Sequence, residues 1–179
     1  MMFAKKLMAV SLISLGMVSS VCVAADQGHG KATMVGSIVS TQASCSISPE
    51  SANQTIDLGQ VSDTVLLEAN GSGKSTPRNF AINLENCEVG AGSSVNVTFS
   101  GMEGKDGRLG ITGTASGASV AFTDGSGDVL PLGKPSKSFK LSEGNNTLQF
   151  STYLQGDGEP GNIKPGDYQA VADFTLSYQ

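Results

Sequence analysis

The sequence predicts an all-β protein, an antiparallel β-sandwich carried behind an export signal. Three observations predict it. Short runs of alternating apolar and polar residues recur between glycine-rich turns, as half-buried strands require. No stretch after the leader shows a helical period with caps. Two cysteines remain once the leader is removed, the pattern of a cross-linked exported domain.

The leader comes first. Lys5 and Lys6 precede an apolar stretch over 7–23, followed by the small residues Ala24 and Ala25. A basic start, a short apolar middle and a small-residue end describe a secretory signal peptide over residues 1–24. Cleavage after Ala24 or Ala25 leaves about 155 residues, enough for one domain with a core. Lipid modification of Cys22 is the competing reading, but Val21 before it is bulkier than such processing favours. Nothing further along is long and apolar enough to span a bilayer, so no membrane insertion is expected. Cys45 and Cys87 then form an even pair in an oxidising compartment, and a disulfide between them contributes on the order of 3–4 kcal/mol.

Charge excludes one class of partner. The chain has 11 basic and 16 acidic residues, and loss of Lys5 and Lys6 makes the balance more negative still. Without a basic stripe, nucleic acid is not an expected partner.

After the leader, 26–30 is polar and glycine-rich, as a flexible arm is. Ala32, Met34, Gly36 and Ile38 then alternate with Thr33, Val35, Ser37 and Val39, giving a strand before the first cysteine. Ile56 and Leu58 suggest another strand, and Phe80, Ile82 and Leu84 a third that ends at Cys87. Val95, Val97 and Phe99 follow, then Val120 and Phe122, then Phe139 and Leu141, then Leu148, Phe150, Thr152 and Leu154. Turns rich in glycine or asparagine separate them at 101–107, 124–128 and 143–146. The last twelve residues alternate to the terminus. Tyr168, Ala170, Ala172, Phe174, Leu176 and Tyr178 share one face, and Val171 is the sole apolar residue on the other. A strand of this kind at a chain end needs a partner from upstream or from another molecule.

Three segments together carry a family resemblance. They are Gly30-Lys31-Ala32-Thr33-Met34-Val35-Gly36-Ser37-Ile38 before Cys45, Phe80-x-Ile82-x-Leu84-x-x-Cys87, and Gly166-Asp167-Tyr168-x-Ala170-x-Ala172-x-Phe174-x-Leu176-x-Tyr178-Gln179. In this order, with this cysteine placement and a penultimate tyrosine, the chain resembles the type 1-like subunits of chaperone–usher pili. The resemblance implies an incomplete immunoglobulin-like sandwich over 42–179 that lacks its last strand, preceded by a donor-strand extension over 25–41. It also implies a structural subunit of a surface fimbria that supports adhesion. A periplasmic chaperone fills the open groove, an outer-membrane usher receives the complex, and a neighbouring subunit's extension replaces the chaperone strand. By the same resemblance Met34 and Ile38 fill apolar sub-pockets, Gly36 sits where the groove is narrow, Ala32 makes a weaker contact, and the chaperone anchors the carboxylate of Gln179.

Catalytic chemistry has little to stand on. His29 is the only histidine and lies in the polar arm, so no triad or histidine cluster is expected. Gly73-Lys74-Ser75 ends like a phosphate-binding loop, but Glu68 stands where its first glycine belongs. Asp124-Gly125-Ser126-Gly127-Asp128 begins like a calcium loop, but Val129, Leu130 and Pro131 follow where later ligands belong. No enzyme, cofactor or metal is expected. The alternatives in other classes are a receptor-binding tip adhesin and a self-contained secreted sandwich that binds a ligand through its loops.

Overall fold

Alternation in the sequence becomes two packed antiparallel sheets. The computed structural model describes residues 43–179. The expected signal peptide and the expected donor residues Ala32, Met34, Gly36 and Ile38 lie outside the described residues.

The chain enters through β1 (Ala43–Ile47), a helical turn α1 (Pro49–Ala52) and a short helix α2 (Asp63–Gly71). The long strand β2 (Arg78–Val89) and β3 (Ser94–Gly101) follow, then β4 (Leu109–Gly110), β5 (Thr112–Gly113), β6 (Ala118–Asp124), β7 (Val129–Leu130) and β8 (Phe139–Lys140). The second long strand is β9 (Gly144–Gly156), and β10 (Tyr168–Gln169) and β11 (Ala172–Tyr178) end the chain. One sheet runs β1-β2-β9-β6-β4, with β7 also on β6; the second runs β11-β3-β8, and β10 pairs with β5. Two sheets packed face to face each bury one side of every strand, which is why the apolar residues recur at every second position.

The centre of the core is aromatic. Phe99 of β3 stacks on Phe122 of β6 at 4.5 Å and meets Phe150 of β9 edge-on at 5.2 Å, while Phe80 of β2 stacks on Phe150 at 5.6 Å. Such pairs contribute about 0.5–1.5 kcal/mol each beyond the area they bury; the two Phe99 pairs tie one sheet to the other, and Phe80–Phe150 joins neighbouring strands of one sheet. Ile82, Leu84, Val95, Val97 and Leu148 complete the interior. The expected disulfide joins Cys45 of β1 to Cys87 of β2. A bulge in β2 between Leu84 and Cys87, with Asn86 in the left-handed region (φ 51°), resets the register there.

Three expectations need correction. Ile56 and Leu58 form no strand. The Asp57 carboxylate accepts from the Gly59 amide at 2.8 Å and Gly59 has φ 71°, so a side-chain-closed turn interrupts the extended run. Two short α-helical pieces occur where none was expected. The Ser48 and Ser62 side chains cap them by accepting from the amides of Ser51 and Thr64, and Pro49 occupies the start of α1. Both pieces are too short to show a period: α2 leaves helical geometry at Glu68, Ala69 and Asn70. At Gly71 (φ 80°) the chain turns so tightly that a side chain would meet the Pro160 nitrogen at 2.8 Å. Finally, the expected continuous C-terminal strand is divided. Its first part, β10, pairs with β5, and only from Ala172 does it join β3.

Candidate functional site: the groove beside the C-terminal strand

Main-chain parity on β11 defines the site. Ser94 and Gln179 exchange both backbone hydrogen bonds, with the Ser94 amide donating at 3.0 Å and the Gln179 amide at 2.9 Å. In an antiparallel ladder such doubly bonded pairs recur at every second residue. Along the observed register, Ser177, Thr175 and Asp173 therefore turn their amides and carbonyls toward β3. Tyr178, Leu176, Phe174 and Ala172 turn theirs the other way. Among the described residues β11 has no neighbour on that side. It is an open edge with a row of main-chain donors and acceptors.

The same residues carry the apolar face. Tyr168, Ala170, Ala172, Phe174, Leu176 and Tyr178 are all half-buried, and every residue between them is exposed, including Val171. The alternation continues unbroken across the divide between β10 and β11. These side chains rest on the core, yet none is fully covered. The uncovered side of Tyr168, Ala170, Ala172 and Phe174 faces a groove of about 1480 Å³. Its opposite rim is the irregular segment carrying Ile56, Leu58 and Val61, and core rings Phe80, Phe99 and Phe122 reach its floor. A small-molecule pocket usually measures about 300–1,000 Å³. A longer apolar cleft beside an unpaired strand edge suits an extended peptide, which bonds through its main chain and inserts every second side chain.

Two close contacts hold β11 in place. Where β3 meets the start of β11, Gly101 lies opposite Ala172, and a side chain at Gly101 would come within 2.5 Å of Leu109 and 2.8 Å of the Val171 carbonyl. Near the disulfide, the Tyr178 hydroxyl donates to the Cys45 carbonyl at 3.5 Å, so Leu176 and Tyr178 pack beyond the groove's deep part. Burial holds the Tyr178 phenol above its ordinary range despite that bond, and burial plus the Asp57 charge does the same for Tyr168. No group of potential metal ligands occurs among the described residues. The 124–128 turn uses its carboxylate internally, since Asp124 accepts from the Ser126 and Asp128 amides at 2.9 and 3.0 Å. Cys45 and Cys87 are bonded to each other and so offer no free thiol.

Of the C-terminal residues singled out in the sequence, Tyr168, Ala170, Ala172 and Phe174 line the groove, Leu176 and Tyr178 continue the same face beyond it, and Gln179 is exposed and pairs with Ser94. The opposite rim was missed as a rim: Ile56 and Leu58 carry an alternating signal, but it reads as a sheet strand. Thr152 on the floor is the polar break in the run from Leu148 to Leu154.

Comparisons with known proteins agree with this architecture. A family model described as fimbrial protein matches residues 32–179. The chain is 49% identical to the Fimbria A protein of Serratia marcescens over 97% of its own length and 98% of the relative's. It is 44% identical to the major MR/P fimbria protein of Proteus mirabilis, again over 97% and 98%. Its structure is similar to that of the P pilus rod subunit PapA, with a TM-score of 0.66 and 28% identity, covering 75% of this chain and 99% of that one. A subunit within a chaperone–usher pilus structure gives a TM-score of 0.66 at 32% identity, covering 86% and 97%. On these matches the chain belongs to the fimbrial protein family, as an exported, non-enzymatic structural subunit of surface fimbriae with an incomplete immunoglobulin-like fold.

Proposed function

We propose that the groove beside β11 is the acceptor of a donor strand and that this chain polymerises head to tail through it. The observation that supports the reading most directly is the open edge of β11, whose outward main-chain groups and groove-facing side chains belong to the same residues. The occupant is the segment around Ala32, Met34, Gly36 and Ile38 of a second copy. Before assembly a periplasmic chaperone strand occupies the groove and holds the terminal carboxylate of Gln179, and an outer-membrane usher exchanges one strand for the other. The mature chain begins after Ala24 or Ala25, its donor extension runs to residue 41, and the pilin domain covers 42–179. Donor-strand complementation of pilins by chaperones is a known instance of strand addition to a sheet edge. Insertion of this kind is heterologous and does not close on itself, so it builds a filament. The relatives named major fimbria protein and rod subunit support the role of the abundant shaft subunit, with adhesion a property of the finished fimbria.

The test is self-complementation. A copy of residues 31–41 fused after Gln179 through a flexible linker gives a stable monomer that no longer forms SDS-resistant ladders. A fused chain that still polymerises, or gains no stability, overturns the reading.

A further inference from the structure

One apolar residue of the C-terminal segment is left in water. Val171 lies on the outward face between Ala170 and Ala172 and is 66% exposed, more than any other large apolar side chain among the described residues. The outward positions around it, Gln169, Asp173, Thr175 and Ser177, are all polar. Its main chain keeps the parity of β11 across the divide from β10. The Asp167 carbonyl accepts from the Thr114 and Ala115 amides at 2.9 and 3.1 Å, and the Val171 carbonyl lies against Gly101, where a side chain would come within 2.8 Å of it. Odd-numbered residues therefore turn their main chain toward β5 and β3 from 167 onward, and Val171 stands at the groove's edge with its side chain outside.

We propose that Val171 is a register-determining residue that acts from outside the groove, by packing on Val35 of the inserted second copy. The inference rests on the donor-strand reading above. Two matching patterns carry it. Tyr168, Ala170, Ala172 and Phe174 line the groove, and Val171 is the midpoint of their span. Ala32, Met34, Gly36 and Ile38 occupy an equal span in the extension, and its midpoint is Val35. Laying four inward residues on four brings the two valines opposite each other, whichever way the strand runs. In the antiparallel direction, which all the strand pairs of both sheets follow, Ile38 meets Tyr168, Gly36 meets Ala170, Met34 meets Ala172 and Ala32 meets Phe174. The inward residues then make the main-chain bonds, so the outward ones fall in the non-hydrogen-bonded pairs. In such pairs the Cα atoms are about 4.5 Å apart and the side chains are closest. The two valines cover each other on the outer face. A slip of two leaves Val171 against Thr33 or Ser37 and sets Val35 against Gln169 or Asp173, so both valines lose their apolar contact.

The experiment uses the full chain carrying the fused 31–41 copy. Val35→Cys in that copy is combined in turn with Val171→Cys, Gln169→Cys and Asp173→Cys, and the cross-links formed under mild oxidation are read by non-reducing peptide mapping. A non-hydrogen-bonded pair brings its Cα atoms within the reach of a disulfide, so the 171 combination cross-links about tenfold faster than the other two. Separately, Val171→Thr keeps the branching and lowers the folding equilibrium constant of the fused chain by about twofold to fivefold, the scale of one cross-strand pair. The same substitution costs less once the fused copy carries Val35→Thr, and it produces no loss in the unfused chain. Faster cross-linking at 169 or 173 shows a register two residues away and overturns the inference. Equal costs of Val171→Thr with and without Val35→Thr overturn the contact between the two valines. A loss that appears only in filaments and not in the fused monomer assigns Val171 to another surface of a neighbouring subunit and also overturns it. A fused chain with no gain over the unfused parent indicts the donor-strand reading itself, which keeps the two failures apart.

Discussion

Amide hydrogen exchange along β11 tests the open edge one residue at a time. The perturbation is the fused 31–41 strand, compared with the same chain lacking it. In the unfused chain the amides of Asp173, Thr175 and Ser177 are bonded to β3 and exchange slowly, whereas those of Phe174, Leu176 and Tyr178 face the open edge and exchange fast. Filling the groove protects the second set and changes the first set little. The scale follows from what the strand buries. Met34 and Ile38 contribute about 1.5–3 kcal/mol each, or about 3–6 kcal/mol together, while main-chain bonding roughly offsets the ordering of the strand. At about 1.4 kcal/mol per tenfold, the outward amides gain about two to four decades of protection. Nuclear magnetic resonance with assigned amides resolves this alternation directly. Equal protection of neighbouring odd and even residues in the unfused chain refutes the parity. No gain at Phe174, Leu176 and Tyr178 on fusion refutes the acceptor role of this edge.

Three further outcomes are expected. Replacing Cys45 and Cys87 with serine in the fused chain opens a loop with a sequence separation of 42; the loss of about 4 kcal/mol lowers the melting temperature by roughly 10–15 °C, and a shift of only a few degrees in calorimetry contradicts it. Gly36→Leu in the extension blocks entry into another copy's groove while leaving the chain's own groove intact, so ladders on SDS gels disappear but chaperone-bound subunit is still recovered; normal ladders count against the donor segment. The third is a pH effect. Burial raises the Tyr168 and Tyr178 phenols in the folded chain, so their contribution to stability is complete below the ordinary tyrosine value near 10 and declines as pH rises above it. Filling the groove desolvates the Tyr168 ring further, so its part of the 295 nm titration moves to higher pH on fusion, and an unmoved titration shows that the strand lies elsewhere.

The parts of this fold that were legible in the sequence are those that one face of a sheet dictates. Phe80 to Leu84, Val95 to Phe99 and Leu148 to Leu154 alternate because one side of each strand faces the core, and all three segments lie in the expected strands. What escaped was governed by single hydrogen bonds or by a change of partner. A carboxylate-closed turn at Asp57 and Gly59 converts an alternating run into a groove rim, and serine caps start helical pieces too short to have a period. The divide at Ala170 and Val171 leaves no mark on the side-chain pattern, because alternation records which face is buried and not which strand is bonded. Thr152 was visible as a polar break, but only its surroundings show that the hydroxyl is unpaired.

Side-chain face and main-chain direction are linked on β11, and this link limits what can enter the groove. Both repeat every two residues, so every residue that points its side chain inward also points its amide and carbonyl to the open edge. An antiparallel strand that bonds to Ala172, Phe174, Leu176 and Tyr178 must place its own bonded residues directly opposite them, with side chains on the same inner face. The inward residues of the partner therefore supply the hydrogen bonds and the apolar contacts together. A slip of one residue turns Met34 and Ile38 to solvent and sends Thr33, Val35 and Ser37 into the groove. A slip of two keeps the alternation but puts Met34 or Ile38 where Gly36 would enter. Alternation therefore excludes the odd registers, and the sizes of the inward residues, not their spacing, separate the even ones.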